Sequence, residues 1–371
     1  MQRTIAIKLD TTPEQAEALT ALAVEFARAC NSAAALAAEN RCTNRVRLHH
    51  LAYYPVREQT RLGAQMVCNA MRAVAGAYKT LKANKRLPAD GAFPPVVFGD
   101  RGAVHFDKRT YSIQGDTLSL YTLDGRIRVP MAPGGFQREY LERGVPREAK
   151  LVQKNKGWFF NLVLDVPPGA SREGGVLGVD LGENNIAATS TGKVFGGGKL
   201  RYDRDRFLAL RRRLQRNGSE SAKQRLREAS GRERRHVTHV NHEVSKAIIT
   251  EAIESGAGTI VLERLTHIRK RVKAGKRVRT RLHRWPWAQL QAMIADKVEA
   301  AGLRVVYVNP AYSSQTCAAC GQIASRNKNT LRCTCGNRAH ADVNAASNLA
   351  WLPETAVFGR GVVSRPDVAV A

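Results

Sequence analysis

Residues 176–181, VLGVDL, are apolar at nearly every position, yet the run carries a carboxylate, Asp180. A strand of this kind is buried, and a buried carboxylate needs a counterion or hydrogen bonds to sit there. TIVLERL, at 259–265, repeats the arrangement with Glu263, and HADVNAASNLA places Asp342 at a helix start. Taken singly, each acid has the ordinary reading of a helix cap or surface residue. Taken together, they suggest a shared task. Hydrolysis of a phosphodiester requires an activated water and neutralisation of charge on the leaving oxygen, which two Mg²⁺ ions about 3.5–4 Å apart supply. Hard cations take carboxylate oxygens. Asp180, Glu263 and Asp342 therefore form a candidate cage, with Asp180 bridging both ions and each of the other two anchoring one.

The surrounding pattern is α/β. Strands are expected at 176–181, 184–190, 192–196, 259–265 and 304–310, with one long Arg-rich helical region over 203–254. Trp287 to Ala301 reads as a helix, and a last short helix begins near Asp342. Trp285 and Trp287 read first as core residues. Ahead of this half, residues 2–9 read as a strand. Thr12, Pro13 and Gln15 then signal a helix start, and a second helix spans roughly Gly63 to Lys82. From Phe98 to Val166 the pattern turns to strands, including VVFGD, AVHFD, TLSLYTL and RIRVPM. A hairpin is expected with Asn155-Lys156-Gly157 at its tip, and these strands predict a small barrel that the first strand joins. VPPGASREGG at 166–175 reads as a linker. The N-terminal residues lack the apolar run of a secretory signal, and no segment reaches the length of a membrane span, so a cytoplasmic protein with no membrane partner is expected.

Seven cysteines fall into two groups, Cys30, Cys42 and Cys68 being scattered and Cys317, Cys320, Cys333 and Cys335 clustered. The cluster reads as one structural Zn²⁺ site. Its second half has a single intervening residue, which strains tetrahedral geometry and leaves the fourth ligand open, with His340 as a substitute. Charge is the other departure from the ordinary. Lys and Arg number 59 against 32 Asp and Glu, for a net charge of +27, and a compact chain tolerates such self-repulsion best beside a polyanion. Candidate phosphate contacts are Arg211, Arg212 and Arg213, then Arg232, Arg234 and Arg235. A second set, Arg269, Lys270, Arg271, Lys273, Lys276 and Arg277, lies in a run over 268–284 that has nine basic residues and no acid. That run is expected to order on binding nucleic acid, and residues 353–371 are expected to form a mobile tail.

GVDLGENNIAATS, TIVLERL, NPAYSSQTCAACG and HADVNAASNLA, in this order, resemble the successive motifs of the transposon-encoded TnpB nucleases, relatives of the type V CRISPR effectors. The resemblance is strong over about 176–351 and weaker over 1–170. It implies an α+β multidomain chain. A ribonuclease-H-like (RuvC) α/β nuclease domain would occupy 171–311 and 339–352, with a zinc-ribbon insert at 312–338. A β-barrel wedge domain would occupy 1–10 and 96–170, with a helical recognition insert at 11–95. It further implies an RNA-guided endonuclease that cleaves double-stranded DNA beside a short adjacent motif, as a monomer with one guide RNA. Asp180, Glu263 and Asp342 fall on the family's three catalytic positions. Reading of the duplex motif would come from the first half, where Tyr53, Tyr54, Gln65, Asn69 and Lys79 are candidates, although packing or surface roles suit each of them. The rivals are a compact type V CRISPR effector and a guide-dependent DNA-binding repressor that does not cut.

Overall fold

The computed structural model describes residues 1–154, 157–265, 275, 285–308 and 313–351. It divides into two compact units, Met1–Pro167 and Pro168–Ala371.

The first unit opens with strand β1 (Gln2–Leu9) and three helices, α1 (Pro13–Glu39), α2 (Arg45–Gln59) and α3 (Ala64–Ala83). Thr12 and Gln15 start α1 with a reciprocal cap, each side chain accepting from the other's backbone N–H at 3.3 and 3.0 Å. Helix α2 carries Pro55 in its interior, a residue that ordinarily argues against a continuous helix. Strands β2 (Val104–Phe106), β3 (Tyr111–Gln114), β4 (Thr117–Thr122) and β5 (Gly125–Ala132) follow, then α4 (Gly135–Arg143), β6 (Val145–Lys154) and β7 (Gly157–Asp165). They form one seven-stranded antiparallel sheet of order β2-β6-β7-β1-β5-β4-β3. The sheet curls into a nearly closed barrel. Tyr111 on the β3 edge donates its hydroxyl to the carbonyl of Arg147 on β6 at 2.8 Å, and its ring lies 5.2 Å from that of Phe160 on β7.

VVFGD is not a strand. Asn31 of α1 supplies the hydrogen bonds a neighbouring strand would have given, accepting from Phe98 N at 2.8 Å and donating to Phe98 O at 2.9 Å. The turn expected at the tip of the β6–β7 hairpin includes residues 155–156, which lie outside the described residues.

The second unit contains β8 (Gly175–Asp180), β9 (Asn185–Thr189), β10 (Val194–Gly196), α5 (Gly198–Asn217), α6 (Glu220–Glu254), β11 (Ala257–Glu263), α7 (Trp287–Ala301) and β12 (Arg304–Val308). Three short strands, β13 (Ser325–Asn327), β14 (Thr330–Arg332) and β15 (Arg338–His340), lead into α8 (Ala341–Trp351). The helical region expected over 203–254 is made of two helices, and Gly218, at φ +69°, ends α5 with a left-handed cap. The main sheet has order β10-β9-β8-β11-β12, with β8, β11 and β12 parallel.

Both faces of that sheet are covered, which is why its strands read as unbroken apolar runs. Leu177, Val179, Ile260 and Leu262 share a core with Ile248 of α6 and Ile294 of α7. On the other face Val261, Val306 and Val308 meet Leu349 of α8. A Cβ on Gly178 would lie 1.9 Å from the carbonyl oxygen of Ala346, so only glycine lets α8 approach β8 this closely. Trp285 and Trp287 pack against the first of these cores, as the sequence suggests.

Candidate active site

Two parallel strands bring the first two acids to one level. Leu262 of β11 pairs with Val179 of β8, so Asp180 and Glu263, the next residues, both close their strands at the same end of the sheet. The carboxyl end is where open α/β sheets receive ligands. Helix α8 packs on β8 and carries Asp342 in its first turn. The helix N-terminus favours a negative charge there.

Two of the acids are held by side-chain partners. Glu263 is 8% exposed, and its Oε1 accepts from Ser313 Oγ at 2.8 Å, while Gln291 Nε2 fixes the Glu263 carbonyl at 2.7 Å. Asp342 is 7% exposed. Its Oδ2 accepts from Asn185 Nδ2 at 2.9 Å and its Oδ1 from Arg326 at 2.9 Å. Asp180 is half-buried. Burial pushes its carboxyl well above the usual range, and the charges of Glu263 and then Asp342 push the same way, against Arg326. Burial likewise raises Glu263 to about 7; the Ser313 hydrogen bond and Arg326 oppose the rise, and Asp342 adds to it. The three acids lie near enough for Glu263 and Asp342 to act on Asp180 and for Asp342 to act on Glu263, and carboxylates are the donors a hard divalent cation takes.

The sign of these shifts makes a prediction. Both folded-state values lie above the unfolded ones, so the fold binds these protons more tightly than the unfolded chain does. The stability that the proton on Glu263 contributes is complete below its usual 4.5 and is lost as the pH rises to about 7. A shift of this size corresponds to on the order of 3 kcal/mol. The melting temperature of the metal-free protein is therefore expected to fall between pH 4.5 and 7 more steeply than that of Glu263→Gln, and Mg²⁺ should recover the loss above pH 7. Parallel melting profiles for the two proteins, measured by differential scanning fluorimetry, would contradict the clustering.

The four clustered cysteines converge. Their sulfur atoms all lie within 4.8 Å of one another. Cys317 and Cys335 are 3.8 Å apart and Cys320 and Cys333 3.4 Å, close to the edge of about 3.8 Å that Zn–S bonds of about 2.3 Å give a tetrahedron. The single residue between Cys333 and Cys335 is accommodated by a tight turn in which Gly336, at φ +89°, donates to Cys333 O. His340 stands apart from the cluster and accepts from the backbone N–H of Asp342 at 3.3 Å, at the start of α8. Burial works against ionisation of Cys317, but hydrogen bonds led by that from Asn337 outweigh it and lower the thiol to about 6.

Of the basic candidates, Arg212, Arg213, Arg232, Arg234 and Arg235 are exposed on α5 and α6. Arg211 instead reaches Glu233 at 2.9 Å, tying α5 to α6. Arg269, Lys270, Arg271, Lys273, Lys276 and Arg277 lie outside the described residues, as do residues 353–371. In the first unit a polar cleft is lined by Arg45, Gln65, Asn69, Arg72, Arg109 and Arg147, among others. Gln65 hydrogen-bonds to Asp107, and Asn69 is buried near Thr110. Tyr53 stacks on His49 with ring centroids 4.8 Å apart, Tyr54 sits edge-on to Tyr53, and Lys79 is exposed. Sequence reasoning missed Asn185, Ser313 and Arg326, which hold the acids. It also missed Asn344 and Asn348, buried one turn apart on α8, which both donate to Thr316 O at 2.7 Å beside the first cysteine. Their four-residue spacing in DVNAASN was the available signal.

Two family models match. The Cas12f1-like TNB domain matches residues 287–349, and the OrfB_IS605 model, described as "Probable transposase", matches residues 160–269. A curated Cas12f1 endodeoxyribonuclease of Sulfoacidibacillus thermotolerans is 42% identical over 114 residues, covering 30% of this chain and 26% of that protein. A TnpB-like protein of Methanocaldococcus jannaschii is 28% identical over 257 residues, covering 64% of this chain and 91% of that one. Among solved structures, a Cas12f1–sgRNA–target DNA complex aligns with TM-score 0.64 at 16% identity, covering 91% of this chain and 83% of the other, which is a likeness of fold. No helix among the described residues is long and apolar enough to cross a membrane.

Proposed function

We propose that this relative of the TnpB-like and Cas12f1 proteins is a transposon-associated, RNA-guided endonuclease that cleaves double-stranded DNA beside a short adjacent motif. The observation that carries the reading is the meeting of Asp180, Glu263 and Asp342 at one end of the five-stranded sheet, two of them with raised pKa. In this reading the second unit is a ribonuclease-H-like (RuvC) nuclease domain, with residues 312–338 as its zinc ribbon. The first unit is the wedge barrel with its helical recognition insert over 11–95.

Asp180, Glu263 and Asp342 would hold two Mg²⁺ ions, and the four cysteines one Zn²⁺. Bound Mg²⁺ would supply the positive charge that a phosphodiester's leaving oxygen needs, together with activation of water. The chain's own residues do the positioning. Ser313 fixes the rotamer of Glu263, and Asn185 fixes that of Asp342. The exposed arginines of α5 and α6 would meet phosphates, giving affinity without sequence choice. Choice would then rest on guide pairing, and the polar cleft of the first unit, with Gln65 and Asn69, would meet the adjacent duplex.

The test is to express the chain with its flanking DNA, sequence the RNA that purifies with it, and incubate that complex with a matched plasmid. A discrete RNA species and Mg²⁺-dependent cutting of matched plasmid only are the expected result. Random RNA fragments, or cutting indifferent to the guide, would overturn the proposal.

A further inference from the structure

Among the described residues the cation that meets these acids is Arg326. Arg326 lies on β13, in the hairpin that joins it to β14 through Lys328 and Asn329. Its Nε donates to Lys328 O at 3.0 Å, in a turn where Lys328 takes φ +51°, so the guanidinium is aimed by its own hairpin. One terminal nitrogen then donates to Asp342 Oδ1 at 2.9 Å, where the Asp342 side chain is 10% exposed and that of Arg326 33%. Register fixes the pair further. Arg326 pairs with Leu331 of β14, Leu331 pairs with Ala339 of β15, and Asp342 follows three residues later. The field of the guanidinium also reaches Asp180 and Glu263.

We propose that Arg326 is a built-in counter-cation of the carboxylate crevice, held on Asp342 in the metal-free chain and displaced when a divalent cation loads. The inference rests on the nuclease reading, since it takes the crevice to be a metal cage. Its physical basis is that one oxygen of Asp342 is held by Asn185 and the other by Arg326. A dication on Oδ1 would sit within a few ångströms of a like charge, in a site largely shielded from water. The Arg326 side chain is a third exposed and has solvent to swing into, whereas Asp342 and Glu263 are buried. Loading of the nuclease centre is thus gated by a residue of the cysteine-clustered module and not by the acids alone.

The experiment is a Mn²⁺ titration of the full zinc-loaded chain, followed by electron paramagnetic resonance, for the native sequence, Arg326→Gln, Asp180→Ala and the double variant. Mn²⁺ is a hard ion that prefers carboxylates to thiolates. Arg326→Gln is expected to bind Mn²⁺ about tenfold more tightly, equivalent to about 1.4 kcal/mol, and Asp180→Ala should remove that binding in either background. Melting gives a second readout. Arg326→Gln should melt below the native protein without Mn²⁺, and the gap should close when Mn²⁺ saturates, whereas a merely structural arginine would leave the gap unchanged. Equal Mn²⁺ affinity with and without Arg326, or a melting gap that Mn²⁺ does not alter, overturns the gate and leaves the nuclease reading standing. Absence of Mn²⁺ binding in both proteins, or binding that survives Asp180→Ala, overturns the cage and the gate together.

Discussion

Asp180→Ala is expected to slow cleavage of a guide-matched plasmid by about 10³-fold or more, the equivalent of roughly 4 kcal/mol of barrier. Binding of guide RNA and of target DNA should stay unchanged. The separation follows from position. Asp180 closes β8, which lies between β9 and β11 in the sheet, and its carboxyl responds to both of the other acids. In the proposed reading it would hold metal together with those two acids, and its loss should empty the cage. The exposed arginines that would hold nucleic acid are on α5 and α6 and do not change. Stability should move the other way. Burial and two like charges oppose ionisation of Asp180, so removing it relieves repulsion, and the variant should melt no lower than the native protein in metal-free buffer at neutral pH. A variant that melts normally and still cuts at the native rate would end the carboxylate-cage account.

Cys335→Ser should weaken zinc binding by about 10²-fold or more, because a structural site of four thiolates contributes folding free energy directly. The variant tests the ligand that spacing left open. The sulfur of Cys335 lies 3.8 Å from that of Cys317, a separation that would suit an edge of a zinc tetrahedron. Cleavage should fall with zinc content although no thiol touches the acids. Residues 338–340 form β15 of the cysteine module, and Asp342 follows two residues after His340. Asn344 and Asn348 bind the loop before Cys317 back onto α8. Mass spectrometry of the intact native protein should give about one zinc per chain. An unaltered zinc content in Cys335→Ser would reduce the ligand set to three thiolates.

What could be read in advance followed from strong local signals. The apolar runs around Asp180 and Glu263 announced buried strands, and their shared level at the sheet end follows from parallel pairing. The cap at Thr12 and the helix over Trp287–Ala301 were equally plain. The misses have physical causes. Helix α2 tolerates Pro55 in its interior, and the 96–100 segment is satisfied by one asparagine in place of a strand. Asn185, Ser313 and Arg326 could not be chosen, because nothing local distinguishes them. Each gains its role from a tertiary contact with an acid, Asn185 with Asp342 across 157 positions, Ser313 with Glu263 across 50 and Arg326 with Asp342 across 16.

The place of β1 in the barrel carries a consequence for how the protein is made. This strand occupies the middle of its sheet, with β7 along one side and β5 along the other, and Gln2 pairs with Asp165. A ribosome delivering the chain must synthesise almost all of the first unit before β1 acquires its β7 neighbour, while α1, α2 and α3 need only one another to begin packing. The helical block would thus form early and shelter an unpaired strand until residue 165 emerges. Polypeptides terminated before that point would leave the β7-facing edge of β1 bare, an invitation to aggregation.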